Sequence, residues 1–282
     1  MKKTWMVTGA SRGLGAKIAR AILAHGDNLV ATARNEHSLR NVADSATDAS
    51  QILALSLDVT SEEQAKAAVE AATDRFGRID VLVNNAGYGL LGSIEESSAA
   101  EVEAVYRTNV FGLLNVTRAV LPIMRKQQSG HILNMSSLGG YQASPGWGVY
   151  GSTKFAVEGI TEALYGEVKA LGIHVTVIEP GFFRTDFMDS SSLQRTKTQI
   201  EDYAATVGKT RIFAETNNRQ QPGDPAKLAE ALLQLVALPD PPLRLPLGPD
   251  AVRRIASKNA FVAQETERWK SLSESTDLTP GG

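Results

Sequence analysis

Between residues 4 and 179, short apolar, β-branched runs alternate with longer segments of helical period, a rhythm that very few architectures can satisfy. The runs at 4–8, 28–33, 51–57, 80–84, 130–136 and 173–179 predict strands, and the segments near 13–25, 36–47, 61–76, 99–127 and 150–171 predict helices. Strands each followed by a crossover helix lie parallel, and right-handed crossovers put helices on both faces of the sheet. The expectation is an α/β fold built on a doubly wound parallel sheet. A further run at 243–247 brings the total to about seven strands; Pro246 has no N–H for a central ladder, so this strand belongs at the sheet edge.

With 43% hydrophobic residues the chain can bury a large core, and residues 1–282 read as a single domain. The polar, weakly periodic stretch after Gly181 predicts a substrate lid over about 186–225, and 239–282 reads as a C-terminal extension. Asp224-Pro225 is an N-cap followed by a first helical position, starting a helix that runs to about Leu238, and a closing helix is expected near 250–270.

The 29 basic and 31 acidic residues form no long block of one sign, which argues against nucleic acid or an anionic membrane surface and for a small-molecule partner. The absence of cysteine excludes disulfides, thiol catalysis and thiolate zinc sites; His25, His37, His131 and His174 are scattered without ligand spacing, so no metal is expected. No apolar run reaches the ~20 residues of a bilayer span, and Gly9 interrupts the first one too early for a signal peptide. A cytoplasmic protein is expected.

Chemistry concentrates in two places. The first strand leads into Gly9-Ala10-Ser11-Arg12-Gly13-Leu14-Gly15 and then a helix with apolar spacing at Ile18, Ala19, Ile22 and Leu23. Glycines at such a turn let backbone N–H groups approach a pyrophosphate at the positive end of the helix. Taken alone, a structural turn explains the same residues, because the spacing departs from G-x-G-x-x-G. Tyr150 and Lys154 lie four apart on a predicted helix and therefore share a face. A phenol of pKa ~10 is a poor base at neutral pH, but two charges ~5 Å apart at an effective dielectric of ~20 interact by ~3 kcal/mol, so the ammonium is expected to lower the phenol's pKa by roughly two units before desolvation.

In joint order and spacing, these segments resemble the short-chain dehydrogenase/reductase family over most of residues 4–186. The glycine loop resembles its cofactor segment, Asn84-Asn85-Ala86-Gly87 its N-N-A-G motif, Tyr150 and Lys154 its Y-x-x-x-K, and Pro180-Gly181 with Thr185 its P-G-x-x-x-T. Asn109 and Ser137 fall where the family has its catalytic asparagine and serine. The resemblance implies a Rossmann fold and a division of labour. Ser137 holds the substrate oxygen and Tyr150 transfers the proton. Lys154 tunes Tyr150 and binds the nicotinamide ribose, and Asn109 holds a water linking the lysine to solvent. It also implies that Asp58 and Val59 contact the adenine, that Thr185 holds the carboxamide, and that a homodimer or homotetramer forms through the helices at 99–127 and 150–171.

Where an NAD-binding fold carries an acid after its second strand, this chain has Ala33 and then Arg34. Arg34 and Arg12 match basic positions of the family's NADP-preferring branch, and a guanidinium grips a 2′-phosphate with charge-assisted bonds, so NADP(H) is expected. Glu36 keeps NAD(H) use open. The loops past the strand ends supply apolar pocket walls, among them Leu90, Leu91, Tyr141, Trp147, Phe182 and Phe187, which suit a hydrophobic ketone or secondary alcohol. A cofactor-binding sensor without turnover, or an epimerase or dehydratase of the same family, are the competing functions.

Overall fold

The structure, a computed structural model, describes residues 2–278. In chain order the elements are β1 (Thr4–Val7), α1 (Gly13–His25), β2 (Asn28–Ala33), α2 (Arg40–Ala43), β3 (Ile52–Ser56), α3 (Glu62–Phe76), β4 (Val81–Asn84) and β5 (Gly89–Leu91). They continue with α4 (Ala99–Tyr106), α5 (Leu113–Gln127), β6 (Gly130–Met135), α6 (Gly148–Val168), β7 (Ile173–Pro180) and β8 (Leu193–Arg195). The chain closes with α7 (Lys209–Thr216), α8 (Pro225–Ala237), β9 (Arg244–Leu247) and α9 (Pro249–Glu274).

Seven strands form one parallel sheet in the order β3-β2-β1-β4-β6-β7-β9. The direction of winding reverses between β1 and β4, which opens a crevice at their carboxyl ends. β9 pairs only with β7, so Pro246, opposite Glu179, stands on an edge strand as its missing N–H requires. This is the doubly wound fold expected from the alternation of runs.

Each face of the sheet is covered by the apolar stripe of its helices. On one side Ile18, Ala19, Ile22 and Leu23 of α1 pack with Leu228, Leu232 and Leu235 of α8. On the other, Val69 and Ala72 of α3, Val116, Val120 and Met124 of α5, and Leu164 and Val168 of α6 cover Met6, Leu82 and Ile132. Each large aliphatic side chain buried in this way contributes about 1.5–3 kcal/mol. Gly26, in the left-handed region at φ 92°, ends α1 by donating its N–H to the carbonyls of Ile22 and Leu23. The helix expected over 99–127 is interrupted by a π-helical turn, Arg107–Gly112, between α4 and α5. Such widened turns free local backbone groups and concentrate at functional sites.

The expected lid contains regular structure that its polar sequence hides. β8 pairs in parallel with β5, Gly89 opposite Leu193 and Leu91 opposite Arg195. Glu96, 2% exposed, accepts hydrogen bonds from the N–H groups of Ser93 (2.7 Å) and Ile200 (2.8 Å) and pairs with Arg211 of α7, clasping this segment to the body. No helix among the described residues is long and apolar enough to cross a membrane.

Candidate active site

One cleft of about 860 Å³ runs along the carboxyl ends of the central strands and collects most of the chemistry-bearing residues singled out from the sequence. At one end the β1–α1 turn forms a cradle. Gly9 has φ +65° and a Cβ there would lie 3.0 Å from the Ala86 Cα; a Cβ on Gly15 would lie 2.3 Å from the Gly9 carbonyl oxygen. Gly13, at φ +54°, faces open space. Thr8 and Asn85 lock this turn to β4: the Asn85 amide donates to the carbonyls of Thr8 (2.9 Å) and Gly9 (3.1 Å), and the Thr8 hydroxyl accepts from the N–H groups of Asn85 and Ala86. α1 has no side-chain cap and no acid in its first turn, whereas α3, α4 and α8 are capped by Ser61, Ser98 and Asp224. Its free N–H groups are therefore left for an anion.

Ser11, Arg12, Gly13, Leu14, Gly15, Arg34, Asp58, Val59, Asn85, Ala86 and Gly87 line this end. The exposed guanidinium of Arg34 lies close enough to Tyr88 to oppose the upward shift that burial imposes on that phenol. Arg12 reaches across to the Ser191 carbonyl, just before β8. Neither arginine has a carboxylate within ion-pair distance among the described residues, and Glu36 does not line the cleft.

At the other end α6 presents Tyr150 and Lys154, 7% exposed each, beneath the loop that follows β6. The Tyr150 ring is packed edge-on to Trp147 (centroids 5.7 Å) and tilted against Phe187 (5.6 Å). Ser137 stands beside the phenol, its hydroxyl oxygen accepting the Gly139 N–H at 3.0 Å. Lys154 Nζ donates to the Met135 carbonyl at 2.8 Å, which ties the amine to the end of β6, and lies 5.9 Å from the Tyr150 ring centroid. Burial pushes the phenol up to about 12, opposed only by Ser137, and lowers Lys154 to about 8, opposed by Glu158 one turn further along α6. The sequence expectation of a lowered phenol is therefore reversed: burial decides the shift, and the Lys154 amine reaches toward the Met135 carbonyl over the ring face rather than toward the phenolic oxygen.

Asn109 occupies the π turn, 1% exposed and behind the cleft wall. Its side chain accepts the Tyr88 N–H (3.1 Å) and donates to the Tyr88 carbonyl (2.9 Å) and to Thr153 (3.1 Å). It thus braces the loop after β4 against α6. Pro180, Gly181 and Thr185 border the cleft, with the Thr185 hydroxyl accepting from the Phe187 N–H at 3.2 Å.

Of the expected pocket walls, Trp147, Phe182 and Phe187 line the cleft. Tyr141 does not and is corrected: its hydroxyl donates to Asn259 of α9 and its ring lies 5.5 Å from the Arg244 guanidinium, both polar attractions that draw it out of the site. Leu90 and Leu91 are buried packing residues. Several lining residues gave no sequence signal: Gln142 and Ser144, Gln221, whose buried Oε1 has no partner among the described residues, and Arg254 of α9. Asp250 stands behind the lining residues, accepting the Phe182 N–H at 2.8 Å where a Cβ on Gly181 would collide with it at 2.3 Å, and it too gave no sequence signal. They come from segments distant in sequence, so no spacing marks them.

Comparison with known proteins gives consistent relatives. Residues 3–196 match the family described as short chain dehydrogenase. The chain is 41% identical over 276 residues to oxidoreductase BOA17 of Botryotinia fuckeliana, covering 97% of this chain and 98% of that protein. It is 37% identical over 244 residues to a 3-ketodihydrosphingosine reductase of Bacteroides thetaiotaomicron, covering 86% and 87%. A solved short-chain dehydrogenase from Streptomyces avermitilis superimposes with a TM-score of 0.90 at 39% identity, over 99% of each chain.

Proposed function

The chain belongs to the short-chain dehydrogenase family and is an oxidoreductase, and from that premise we propose that it transfers a hydride between NADP(H) and a hydrophobic ketone or secondary alcohol. The observation that carries the reading is the shared cleft: an uncapped helix start with two unpaired arginines at one end, and Ser137, Tyr150 and Lys154 at the other. The residues fit a phosphorylated dinucleotide. The glycine cradle admits backbone at a distance no side chain would tolerate, the α1 N–H groups suit a diphosphate, and Arg12 and Arg34 suit a further phosphate. Asp58 and Val59 would flank the adenine, Asn85, Ala86 and Gly87 the central part, and Lys154, Pro180, Gly181 and Thr185 the nicotinamide half. When bound, the reduced nicotinamide supplies the hydride.

The chain's own residues manage the proton. A buried phenol held near 12 keeps its proton throughout the neutral range, which suits donation to a carbonyl oxygen that is gaining negative charge. The Ser137 hydroxyl donates a hydrogen bond to the same oxygen and orients it. Lys154, charged below about pH 8 and 5.9 Å from the ring centroid, stabilises the phenolate left after transfer through its charge rather than by a direct hydrogen bond. Trp147, Phe182, Phe187 and Met188 exclude water and offer an apolar wall. The exposed Phe111 and Phe155, on the π turn and α6, support assembly into a homodimer or homotetramer through the long helices.

The test is a spectrophotometric screen of NADPH oxidation against aliphatic, aromatic and polycyclic ketones. Turnover is expected with NADPH, and Tyr150→Phe is expected to lose ~10²–10⁴-fold in rate while still binding NADPH. No turnover across the panel, with NADPH still bound, favours a sensor; comparable rates for the variant remove Tyr150 from the chemistry.

A further inference from the structure

The substrate end of the cleft holds a charge that hydride transfer does not use. Arg254 lies one turn after Asp250 on α9 and contributes to the cleft wall. Its Nε donates to Gln142 Oε1 at 3.2 Å and its Nη2 to Ser144 Oγ at 2.7 Å. Both acceptors are neutral, so they orient the guanidinium without neutralising it. Asp250, the acid nearest on its own helix, is turned to the Phe182 N–H and makes no ion pair with Arg254. By contrast, Arg195, Arg211, Arg219 and Arg244 each have a carboxylate partner. The single acid among the lining residues is Asp58, at the opposite, β3 end. Lys154 and Arg254 are therefore the charged side chains that line the substrate end, with the apolar Trp147, Phe187 and Met188 in the same wall.

We propose that Arg254, held by Gln142 and Ser144, is a subsite for an oxyanion carried by the substrate, and that the ketone is an amphiphile with an apolar body and a carboxylate or phosphate end. The inference rests on the hydride-transfer reading for the identity of the reacting carbonyl, but not for the binding of the anion. A guanidinium carries five N–H donors in a planar fork; with two committed to Gln142 and Ser144, three are left for an incoming anion. The same charge disfavours a ketone bearing an ammonium group.

The test measures binding to the full-length protein loaded with NADP⁺, which cannot reduce a ketone. The probes are positional isomers of oxododecanoic acid, their methyl esters, the corresponding oxododecyl phosphates and the aminoketones of equal length, titrated by calorimetry. At least one acid or phosphate is expected to bind about tenfold or more tightly than its ester, the ratio being set by a charge-assisted bond. That preference should shrink with added NaCl. It should collapse in Arg254→Met and be partly kept in Arg254→Lys, with NADP⁺ affinity unchanged in both. The ranking of acid against phosphate identifies which oxyanion the subsite takes. Esters or aminoketones binding as well as the acids and phosphates, or a preference that survives Arg254→Met, would overturn the proposal. Should the variants fail to fold, the acid-to-ester ratio of the parent protein decides alone. NADPH oxidation is read separately. Turnover without anion preference sinks the subsite only, and anion preference without turnover sinks the hydride-transfer reading only.

Discussion

Replacing Arg244 with methionine tests how the edge of the sheet is tied to the helix that carries Tyr150. Arg244 of β9 donates to Glu179 of β7 (2.7 Å) and Glu162 of α6 (2.7 Å) and pairs with Glu158 of α6. The Glu162 side chain is 54% exposed and can hydrate when the cation is removed; those of Glu158 and Glu179, at 7% and 1%, cannot. Breaking a buried pair leaves an uncompensated charge and costs about 3–5 kcal/mol. Because Arg244 keeps 29% of its side chain in solvent, we expect the lower end, about 3 kcal/mol. At about 2–4 °C per kcal/mol for a chain of this size, Tm should fall by about 6–12 °C at pH 8.

The pH dependence has a definite sign. Burial already raises Glu158 to about 7 with Arg244 in place, and loss of the cation raises it further. A carboxyl whose folded pKa lies above its unfolded value favours the folded state most where it is protonated, and that advantage is lost as pH rises through the folded pKa. The difference in Tm between parent and variant should therefore narrow from pH 8 to pH 5 by scanning calorimetry. A variant that melts with the parent at pH 8, or a difference that widens in acid, would refute the reasoning.

Glu158→Gln removes the charge that supports the Lys154 ammonium, so the alkaline limb of ketone reduction, expected near pH 8, should move to lower pH in a kcat/KM profile; an unmoved limb detaches Glu158 from the site. Gly15→Ala drives a Cβ to 2.3 Å from the Gly9 carbonyl and should weaken NADPH binding at least tenfold by fluorescence titration, at a folding cost of about 1–3 kcal/mol. Arg34→Asp should move the NADPH-to-NADH ratio of kcat/KM toward NADH, and an unchanged ratio rejects its place at the ribose phosphate. His131, buried and lowered to about 3 by desolvation, stays neutral in the fold while the unfolded chain takes up a proton below about pH 6.5. Stability should fall between pH 6.5 and 3, by up to about 5 kcal/mol, and His131→Gln should flatten the acid limb of a urea-unfolding series.

The sheet was legible because its five inner strands are buried on both faces and therefore read as unbroken apolar runs, and Pro246 marked the half-buried edge strand β9. The glycine cradle and the Tyr150–Lys154 pair were legible because turn and helix geometry fix which residues can meet over short spacings. Neither β5 nor β8 could be read: each is three residues long, and the ladder between them exists only once residues 193–195 have folded back beside residues 89–91. Tyr141 and Trp147 looked equivalent in one loop, yet Arg244 and Asn259, more than a hundred positions away, draw one outward while the other packs on Tyr150. The direction of the Tyr150 shift also escaped the sequence, since spacing gives the distance of the lysine but not the depth of burial.

The contact between Asp250 and Gly181 ties the closing helix to the wall of the cleft. A carboxylate occupies the volume that a side chain at position 181 would claim, so a substitution there requires Asp250, about seventy residues away, to leave its place against the Phe182 N–H. Exchanging the C-terminal quarter with that of a related enzyme should thus succeed or fail on one atom's worth of room beneath Phe182, however well the two sheets agree.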